Sequence, residues 1–244
     1  MSVTHRSSLH AGSAGPAPAA GSVTALRRTS TAHQLYNLLR GRIMALELEP
    51  GMQLSRNDLA AQYGVSQTPV RDALQMLEQE GLVAVIPQSR TEVTRIDVQQ
   101  ARETQFLRLS LELEVVRSLC GAPGTAAQGV AARILDQQET ALTIDRDVER
   151  FGQLDRQFHQ GMYEAAGVPA LWDLIQSRSG HIDRLRKLNL MDPGKGATIL
   201  SAHREILTAM QAGDSAAAED AVRRHLSGTL ARVDDIRRAY SQFF

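Results

Sequence analysis

The strongest constraint on the fold of this chain is the order of its patterned segments between residues 31 and 96. Three stretches repeat apolar residues every three or four positions, the spacing that places side chains on one face of a helix. Two short runs rich in β-branched residues follow, with a turn between them. The order of helix, helix, three-residue turn, helix and hairpin is the plan of a winged helix-turn-helix domain.

Local signals mark the ends of these segments. Pro50-Gly51 ends the first predicted helix, and Ser55 is a suitable N-cap for the second. Gly64 ends the second helix, because glycine adopts the left-handed C-cap conformation without strain. The predicted strands and the turn between them cover residues 82–86, 91–94 and 87–90.

The pattern after Asp97 is helical throughout and predicts an antiparallel bundle of six helices. Their approximate bounds are 97–121, 125–143, 147–166, 169–191, 197–211 and 214–240. The predicted fold class is therefore mainly α, with a small β-hairpin wing. Because residues 10–23 are mostly Ala, Gly, Ser and Pro, the predicted organisation begins with a disordered tail. The three regions are a tail over 1–30, a winged domain over 31–96 and a helical domain over 97–244.

Composition excludes several classes of protein. The 27 basic and 27 acidic groups give a formal net charge of zero, which removes the bulk basic field of many nucleic-acid-binding proteins. The single cysteine, Cys120, excludes a disulfide framework within the chain. No apolar run approaches the roughly 18 residues of a membrane-spanning helix. We therefore expect a cytoplasmic protein that does not bind membranes.

The segment from Gly64 to Leu74 is the densest motif in the chain. The start of its helix carries four polar side chains, Ser66, Gln67, Thr68 and Arg71. Side chains of these types in the first turns of a helix reach phosphates and base edges in a major groove. An ordinary capped surface helix has the same pattern, so the spacing alone leaves both interpretations open.

The residues from Pro50 to Val83 resemble the GntR family of bacterial transcription regulators. The family pattern is close to P-G-x-x-L, then L-A-x-x-x-G-V-S-R-T-P-V-R-E-A-L, then L-E-x-E-G-L-V. The chain matches it at Pro50-Gly51, Leu54, Leu59-Ala60, residues 64–74 and residues 77–83. The resemblance implies a regulator that binds double-stranded operator DNA with its third helix.

Two positions depart from the family pattern. Gln67 stands where the family has an arginine that reads bases, and glutamine suits adenine better than guanine. The wing turn of the family, P-Q-R-G-T, reads Pro87-Gln88-Ser89-Arg90-Thr91 here, so its glycine is missing and the geometry of the wing is in question. Arg90 is still predicted to contact a phosphate.

Four residues of the helical region have metal-ligand chemistry. Asp155 and His159 are four positions apart, which places them on one face of a helix. His203 and His225 lie on two later helices. One carboxylate and three imidazoles suit a divalent transition ion, with zinc foremost and nickel or manganese as alternatives. Spacing alone equally describes histidines that are ordinary core or surface residues.

The helical region resembles the FCD ligand-binding domain that follows the winged domain in a large GntR subgroup. The signatures of that domain are D-x-x-F-H, then H-x-x-I-x-x-A-x-x-x-G-D, then a late histidine. They correspond here to residues 155–159, residues 203–214 and His225. The resemblance implies that Asp155, His159, His203 and His225 hold a metal, and that the domain dimerises. Six helices rather than seven resemble the VanR-type branch.

Two arginines are candidates for binding a carboxylate effector. Arg108 precedes Leu111-Glu112 in the R-x-x-L-E pattern of the FCD domain, and Arg184 lies one turn after His181. A guanidinium can hold a carboxylate at two points. The alternative for Arg108 is a local helix pair with Glu112. His181 is either a satisfied polar residue or a lining residue of the effector cavity.

The leading hypothesis is a homodimeric, metal-containing regulator that is not an enzyme. We expect it to repress a catabolic operon by binding an inverted repeat, and to be released by a small carboxylic acid. The first alternative is a metal-dependent hydrolase that uses the Asp-His-His-His site, with Glu164 as the remaining candidate for a general base. The second alternative makes the winged domain a protein-interaction module and the bundle a scaffold.

Overall fold

The computed structural model describes residue 1 and residues 30–86, 90–121, 126–190, 192 and 194–244. Nearly all of the predicted tail lies outside the described residues, as do Ser89 and most of the predicted wing turn. No helix within the described ranges is long and apolar enough to cross a membrane.

The first domain is a winged helix-turn-helix, as the segment order predicts. It consists of α1 (Thr31–Met44), α2 (Arg56–Tyr63), α3 (Gln67–Gln79), β1 (Val83–Ile86) and β2 (Arg90–Val93). The Ser55 side chain caps α2 by accepting from the backbone N–H of Asp58. Gly64 ends α2 with φ +63°, the left-handed conformation that favours glycine. The two strands pair antiparallel, with Val83 opposite Val93.

The core of the winged domain fixes the orientation of α3. Val70, Ala73 and Leu77 of α3 are fully buried, and they pack with Leu39 and Ile43 of α1. Full burial of one such leucine contributes roughly 1.5–3 kcal/mol. Because this face points inward, the opposite face at the start of α3 is turned to solvent.

The second domain is all helical, which confirms the predicted fold class. Its helices are α4 (Val98–Cys120), α5 (Ala126–Thr143), α6 (Val148–Ala165), α7 (Pro169–Gln176), α8 (Gly180–Leu190), α9 (Lys195–Ala212), α10 (Ser215–Ser227) and α11 (Val233–Ala239). Side chains from α4–α7, α9 and α10 share one apolar core. Asp97 caps α4 by accepting from two backbone N–H groups.

Two of the six predicted bundle helices are interrupted. The fourth breaks at residues 177–179, where the hydroxyls of Ser177 and Ser179 bond back to carbonyls of α7. The sixth breaks after Gly228, and a short 3₁₀ turn at Leu230–Arg232 separates α10 from α11. Glycine weakens a helix interior, so a break at Gly228 is the less costly place.

The two domains meet at a junction built around the linker. Arg184 of α8 donates to the backbone oxygen of Thr94 at 2.6 Å. The ring nitrogen Nδ1 of His181 accepts from the backbone N–H of Asp97 at 2.9 Å. Near the C-terminus, Phe243 accepts from the backbone N–H of Ile96 at 2.7 Å. The linker is thus held by hydrogen bonds from two separate parts of the helical domain.

Candidate metal centre, effector cavity and DNA-binding surface

Four side chains from three helices converge inside the helical domain. Asp155 and His159 come from α6, His203 from α9 and His225 from α10, and their ligand atoms all lie within 4.8 Å of one another. The Nε2 atom of His225 is 3.1 Å from Nε2 of His159 and 3.2 Å from Nε2 of His203. Oδ1 of Asp155 is 3.4 Å from Nε2 of His203. The structure thus brings together the predicted ligand set.

The outer nitrogens of two histidines face oxygen acceptors. Nδ1 of His203 lies 2.9 Å from the amide oxygen of Gln138, which can only accept a hydrogen bond. Nδ1 of His159 lies 2.9 Å from Oε2 of Glu112, at an angle that is poor for a hydrogen bond. These acceptors favour a proton on Nδ1 of each ring. The lone pairs on Nε2 of both rings therefore point into the cluster.

Burial keeps the three imidazoles neutral. It lowers the pKa of His203 to about 4 and the pKa values of His159 and His225 well below the usual value. Burial opposes ionisation of Asp155, but neighbouring groups that include the charged Arg108 and Arg186 outweigh it and lower the pKa of the carboxyl. The cluster consists of three neutral imidazoles and one carboxylate.

This donor set fits a divalent transition metal ion. Neutral imidazoles and a carboxylate are the ligands that such ions take, at bond lengths of about 2.1 Å. Neighbouring donors around such an ion lie roughly 3.0–3.4 Å apart, which matches the distances between the ligand atoms given above. Converging lone pairs repel each other unless a cation lies between them. Acceptors on the outer ring nitrogens, such as Gln138 and Glu112 here, are typical of metal-bound histidines.

A cavity of about 310 Å³ adjoins the cluster. Asp155 and His225 are part of its lining, so two of the four candidate ligands face the cavity. Trp172 is buried and also lines the cavity. The volume is at the lower end of the range for small-molecule sites, about 300–1,000 Å³. The cavity therefore suits a small ligand in contact with the cluster.

Arg108 places a buried guanidinium, paired with Glu112 but with one unpaired N–H donor group, among the residues that line this cavity. Its side chain is buried, pairs with Glu112 through Nε, and lies with its guanidinium carbon 5.7 Å from the centre of the Trp172 ring. Its Nη2 is buried and has no hydrogen-bond partner within the described residues. Leaving such a donor unpaired costs about 1–3 kcal/mol, and more for a charged group. An acceptor on a bound ligand would remove that cost.

The structure places Arg184 at the domain junction and not in the cavity. Its guanidinium bonds to Thr94 and contacts His181, and it is not among the residues that line the cavity. Arg186, which sequence reasoning missed, does line the cavity and bonds to Asp183 at 3.1 Å and to Gln105 at 3.2 Å. Two positions along a helix turn a side chain by about 200°, so neighbouring arginines face different surroundings.

The residues predicted to contact DNA lie together on the surface of the winged domain. Ser66, Gln67, Thr68 and Arg71 are all exposed at the start of α3, and Arg90 is exposed at the start of β2. The Gln67 amide donates to Oδ1 of Asn57 at 2.6 Å, so α2 positions this side chain. Asn57 is a candidate contact that the motif did not single out.

Two surface arginines at this face have acidic partners. Arg71 lies 3.3 Å from Asp72, and Arg90 lies 2.6 Å from Glu92. Exposed pairs of this kind are worth about 0–1 kcal/mol, so a phosphate can replace the partner at little cost.

The Glu164 carboxylate, considered above as a general base, is exposed, accepts from Gln160 and does not line the cavity beside the cluster.

A winged helix-turn-helix joined to a helical domain with a ligand-sized cavity defines the class of ligand-responsive DNA-binding proteins. Residues 31–93 match the bacterial regulatory proteins of the gntR family, and residues 103–228 match the FCD domain. The chain belongs to the GntR family and carries an FCD effector domain.

Related proteins agree with this assignment. An HTH-type transcriptional regulator in an unstable DNA locus of Streptomyces ambofaciens is 38% identical over 210 residues, covering 86% of this chain and 88% of its own length. The HTH-type transcriptional repressor RspR of Escherichia coli is 29% identical over 211 residues, which cover 86% of this chain and 92% of the length of RspR. These relatives are transcription regulators, and the chain is a DNA-binding regulator rather than an enzyme.

Solved structures show the same fold. McbR/YncC of Escherichia coli superposes with a TM-score of 0.72 at 22% identity, covering 87% of this chain and all of that one. A GntR regulator from Rhodococcus sp. RHA1 superposes with a TM-score of 0.70 at 24% identity, covering 83% of this chain and 96% of that one. The arrangement of winged and helical domains is therefore shared with both.

Proposed function

We propose that this chain is a metal-containing repressor whose DNA binding is relieved by a small carboxylic acid. The observation that carries the proposal is the cavity that has two candidate metal ligands, Asp155 and His225, and the side chain of Arg108 in its lining. A cation and a buried guanidinium in one small cavity select for an anion. Repressor relatives support the direction of the effect.

Asp155, His159, His203 and His225 would hold the ion. Zinc suits this donor set best, and nickel or manganese would also be accepted. When bound, the ion supplies a positive charge that attracts a carboxylate oxygen of the effector. The protein's own residues do the rest: Glu112 and Gln138 orient two of the ligands, and the cavity admits the acid beside them.

Arg108 is the main protein contact proposed for the effector. Arg186 is the second, because it lines the same cavity and partial burial lowers its pKa to about 10, a sign that its charge is poorly solvated. Arg184, predicted for this role, would instead act through the junction at which it holds Thr94.

The operator contacts are proposed on the exposed start of α3 and on the wing. Ser66, Gln67, Thr68 and Arg71 would enter the major groove, and Arg90 would contact a phosphate. A homodimer would present two such surfaces to an inverted repeat with half-sites about one helical turn apart. The bounds 31–96 and 97–244 remain the proposed domains.

The VanR-type branch remains a prediction. The two interruptions make the helix count depend on whether each broken segment is taken as one helix or two.

The test combines operator selection with effector binding. Duplexes selected from a random library with the full chain should contain an inverted repeat, and screening carboxylic acids by thermal shift should find some that raise the Tm. Those acids should lower operator affinity, and Arg108→Gln should weaken that response while leaving operator affinity unchanged. A protein that selects no duplex contradicts the DNA-binding role, and acids that bind without affecting operator affinity contradict the effector role.

A further inference from the structure

The first helix of the DNA-binding domain forms part of the wall of the effector cavity. Arg40, Gly41 and Met44 of α1 and its C-cap residue Ala45 line it, together with residues of the helical domain. The cavity thus reaches from the candidate metal ligands Asp155 and His225 to the winged domain. A ligand long enough to fill it contacts both domains of one chain.

Arg40 links the cavity to the recognition helix α3. Its Nε donates to Oε2 of Glu80 at 2.8 Å, and Glu80 is the C-cap residue of α3. Its Nη2 donates at 2.8 Å to the backbone oxygen of Gln176, the last residue of α7 in the helical domain. The same guanidinium therefore contacts the end of α3, the end of α7 and the cavity.

The hydrogen bonds that Arg40 makes to its two partners differ in strength. Its contact with Glu80 is an ion pair in which both side chains are largely shielded, with 21% and 13% exposed, and Tyr36 also bonds to this carboxylate. The Gln176 oxygen is a neutral carbonyl, and a carboxylate forms a stronger hydrogen bond to a guanidinium than a carbonyl does. An anion that enters from the cavity displaces the weaker partner.

We propose that Arg40 is the effector sensor of this protein: it binds a second anionic group of the effector and gives up the Gln176 carbonyl. This inference rests on the proposed function. One carboxylate is held at the metal end by the ion and Arg108, and the other is held at α1 by Arg40, so the preferred effectors are small dicarboxylic acids. Loss of the bond to Gln176 releases α1 from α7, and α3 moves with α1 because they share a core and Glu80.

The experiment compares two series of acids on the full chain loaded with zinc. The dicarboxylates from malonate to adipate are titrated by calorimetry against the monocarboxylates of the same length, from propanoate to hexanoate. At least one dicarboxylate should bind more tightly than its monocarboxylate. Arg40→Gln should weaken the binding of that dicarboxylate by about tenfold or more and leave the affinities of the monocarboxylates unchanged. Arg40→Lys keeps the charge and should retain part of the preference.

A matched control lies on the same helix. Arg42 bonds to Tyr63 and Glu47 within the winged domain and does not line the cavity, so Arg42→Gln should keep the dicarboxylate preference. In fluorescence anisotropy, the preferred dicarboxylate should release the selected operator from wild type and from this control, but not from Arg40→Gln.

The outcomes separate the inference from the proposed function. If no acid of either series binds the wild type, the proposed function fails and the inference fails with it. If acids bind and Arg40→Gln weakens both series equally, or neither, the proposed function stands and the sensor role is overturned. If Arg40→Gln does not fold, Arg40→Lys decides instead. A sensor that acts through its charge should keep part of the dicarboxylate preference and part of the operator release in this variant, and equal weakening of the binding of both series overturns the sensor role.

Discussion

At the scale of single residues, the chemistry of the cluster depends on side chains outside the ligand set. The spacing of Asp155 and His159 is visible in the sequence, because four positions along a helix share a face. The roles of Glu112 and Gln138 are not, because each comes from another helix and reaches its histidine only through packing. Arg184 and Arg186 show the same limit, since only tertiary structure decides which of them lines the cavity.

Removing the charge of Glu112 should weaken metal binding. Glu112→Gln leaves His159 with a neutral neighbour, and loss of such an outer partner typically lowers metal affinity by about 10–100-fold. Competition against a chelating dye measures the change in zinc Kd. Glu114→Gln, on the same helix but exposed and paired with Arg117, should leave the affinity unchanged. Equal affinity of the Glu112 variant and wild type would show that His159 is not a ligand oriented by this carboxylate.

His181 should make stability depend on pH. Burial and the charge of Arg184 lower its pKa to about 4, so the folded protein excludes a proton that the unfolded chain binds. The penalty begins as pH falls through about 6.5 and reaches about 2 kcal/mol at pH 5. His181→Gln retains an acceptor for the backbone N–H of Asp97 but cannot be protonated. Urea unfolding of the zinc-loaded proteins should therefore show a smaller loss of unfolding free energy between pH 7 and pH 5 in the variant than in the wild type. Equal losses argue against a buried neutral His181.

At the scale of elements, local patterns predicted the helix starts that depend on caps. Asp97, Asp147 and Asp214 each cap the helix that follows, where the sequence indicated a start. The break between α7 and α8 was not predicted, and it lies beside a close approach between the two domains. A Cβ atom on Gly180 would lie 2.3 Å from Cδ2 of Leu82, a buried side chain of the winged domain. Nothing local to residues 177–180 signals that approach.

The recognition helix should change specificity at one position. Gln67→Arg restores the guanine-binding residue type of the family and should shift the preferred base from adenine toward guanine in each half-site, by about 1–3 kcal/mol. Operator selection repeated with the variant measures the shift. Arg71→Ala is the comparison. If Arg71 holds a phosphate, this variant should bind all DNA sequences more weakly by a similar factor, and the salt dependence of binding should be smaller. An unchanged selected sequence for Gln67→Arg would mean that Gln67 reads no base.

At the scale of the whole molecule, the two domains meet at a tightly packed junction. Gly180 lets the start of α8 approach Leu82, while Arg184 and His181 hold the linker. The cavity also reaches α1 of the winged domain. We therefore expect a ligand in the cavity and the packing of the junction to act on the same orientation of the DNA-binding surface.

A methyl group at the junction should imitate the effect of the effector. Gly180→Ala drives a Cβ into Leu82, so it should lower the Tm by several degrees and weaken operator binding in the absence of acid, because overpacking costs about 1–3 kcal/mol. Gly161→Ala is the matched control, since no atom lies within 4 Å of the added Cβ and alanine favours a helix interior. Its Tm should stay level or rise. Normal operator affinity in Gly180→Ala would argue against coupling through this junction.

The metal content of the protein tests the central claim most directly. Elemental analysis of gently purified full chain, repeated after incubation with zinc, nickel or manganese and desalting, should give about one divalent ion per chain. His203→Ala removes a buried ligand and should lower this ratio severalfold, whereas replacement of the exposed Arg204 by alanine should not change it. A ratio near zero for the wild type under all of these conditions would contradict the account and leave Asp155, His159, His203 and His225 as a polar cluster without an ion.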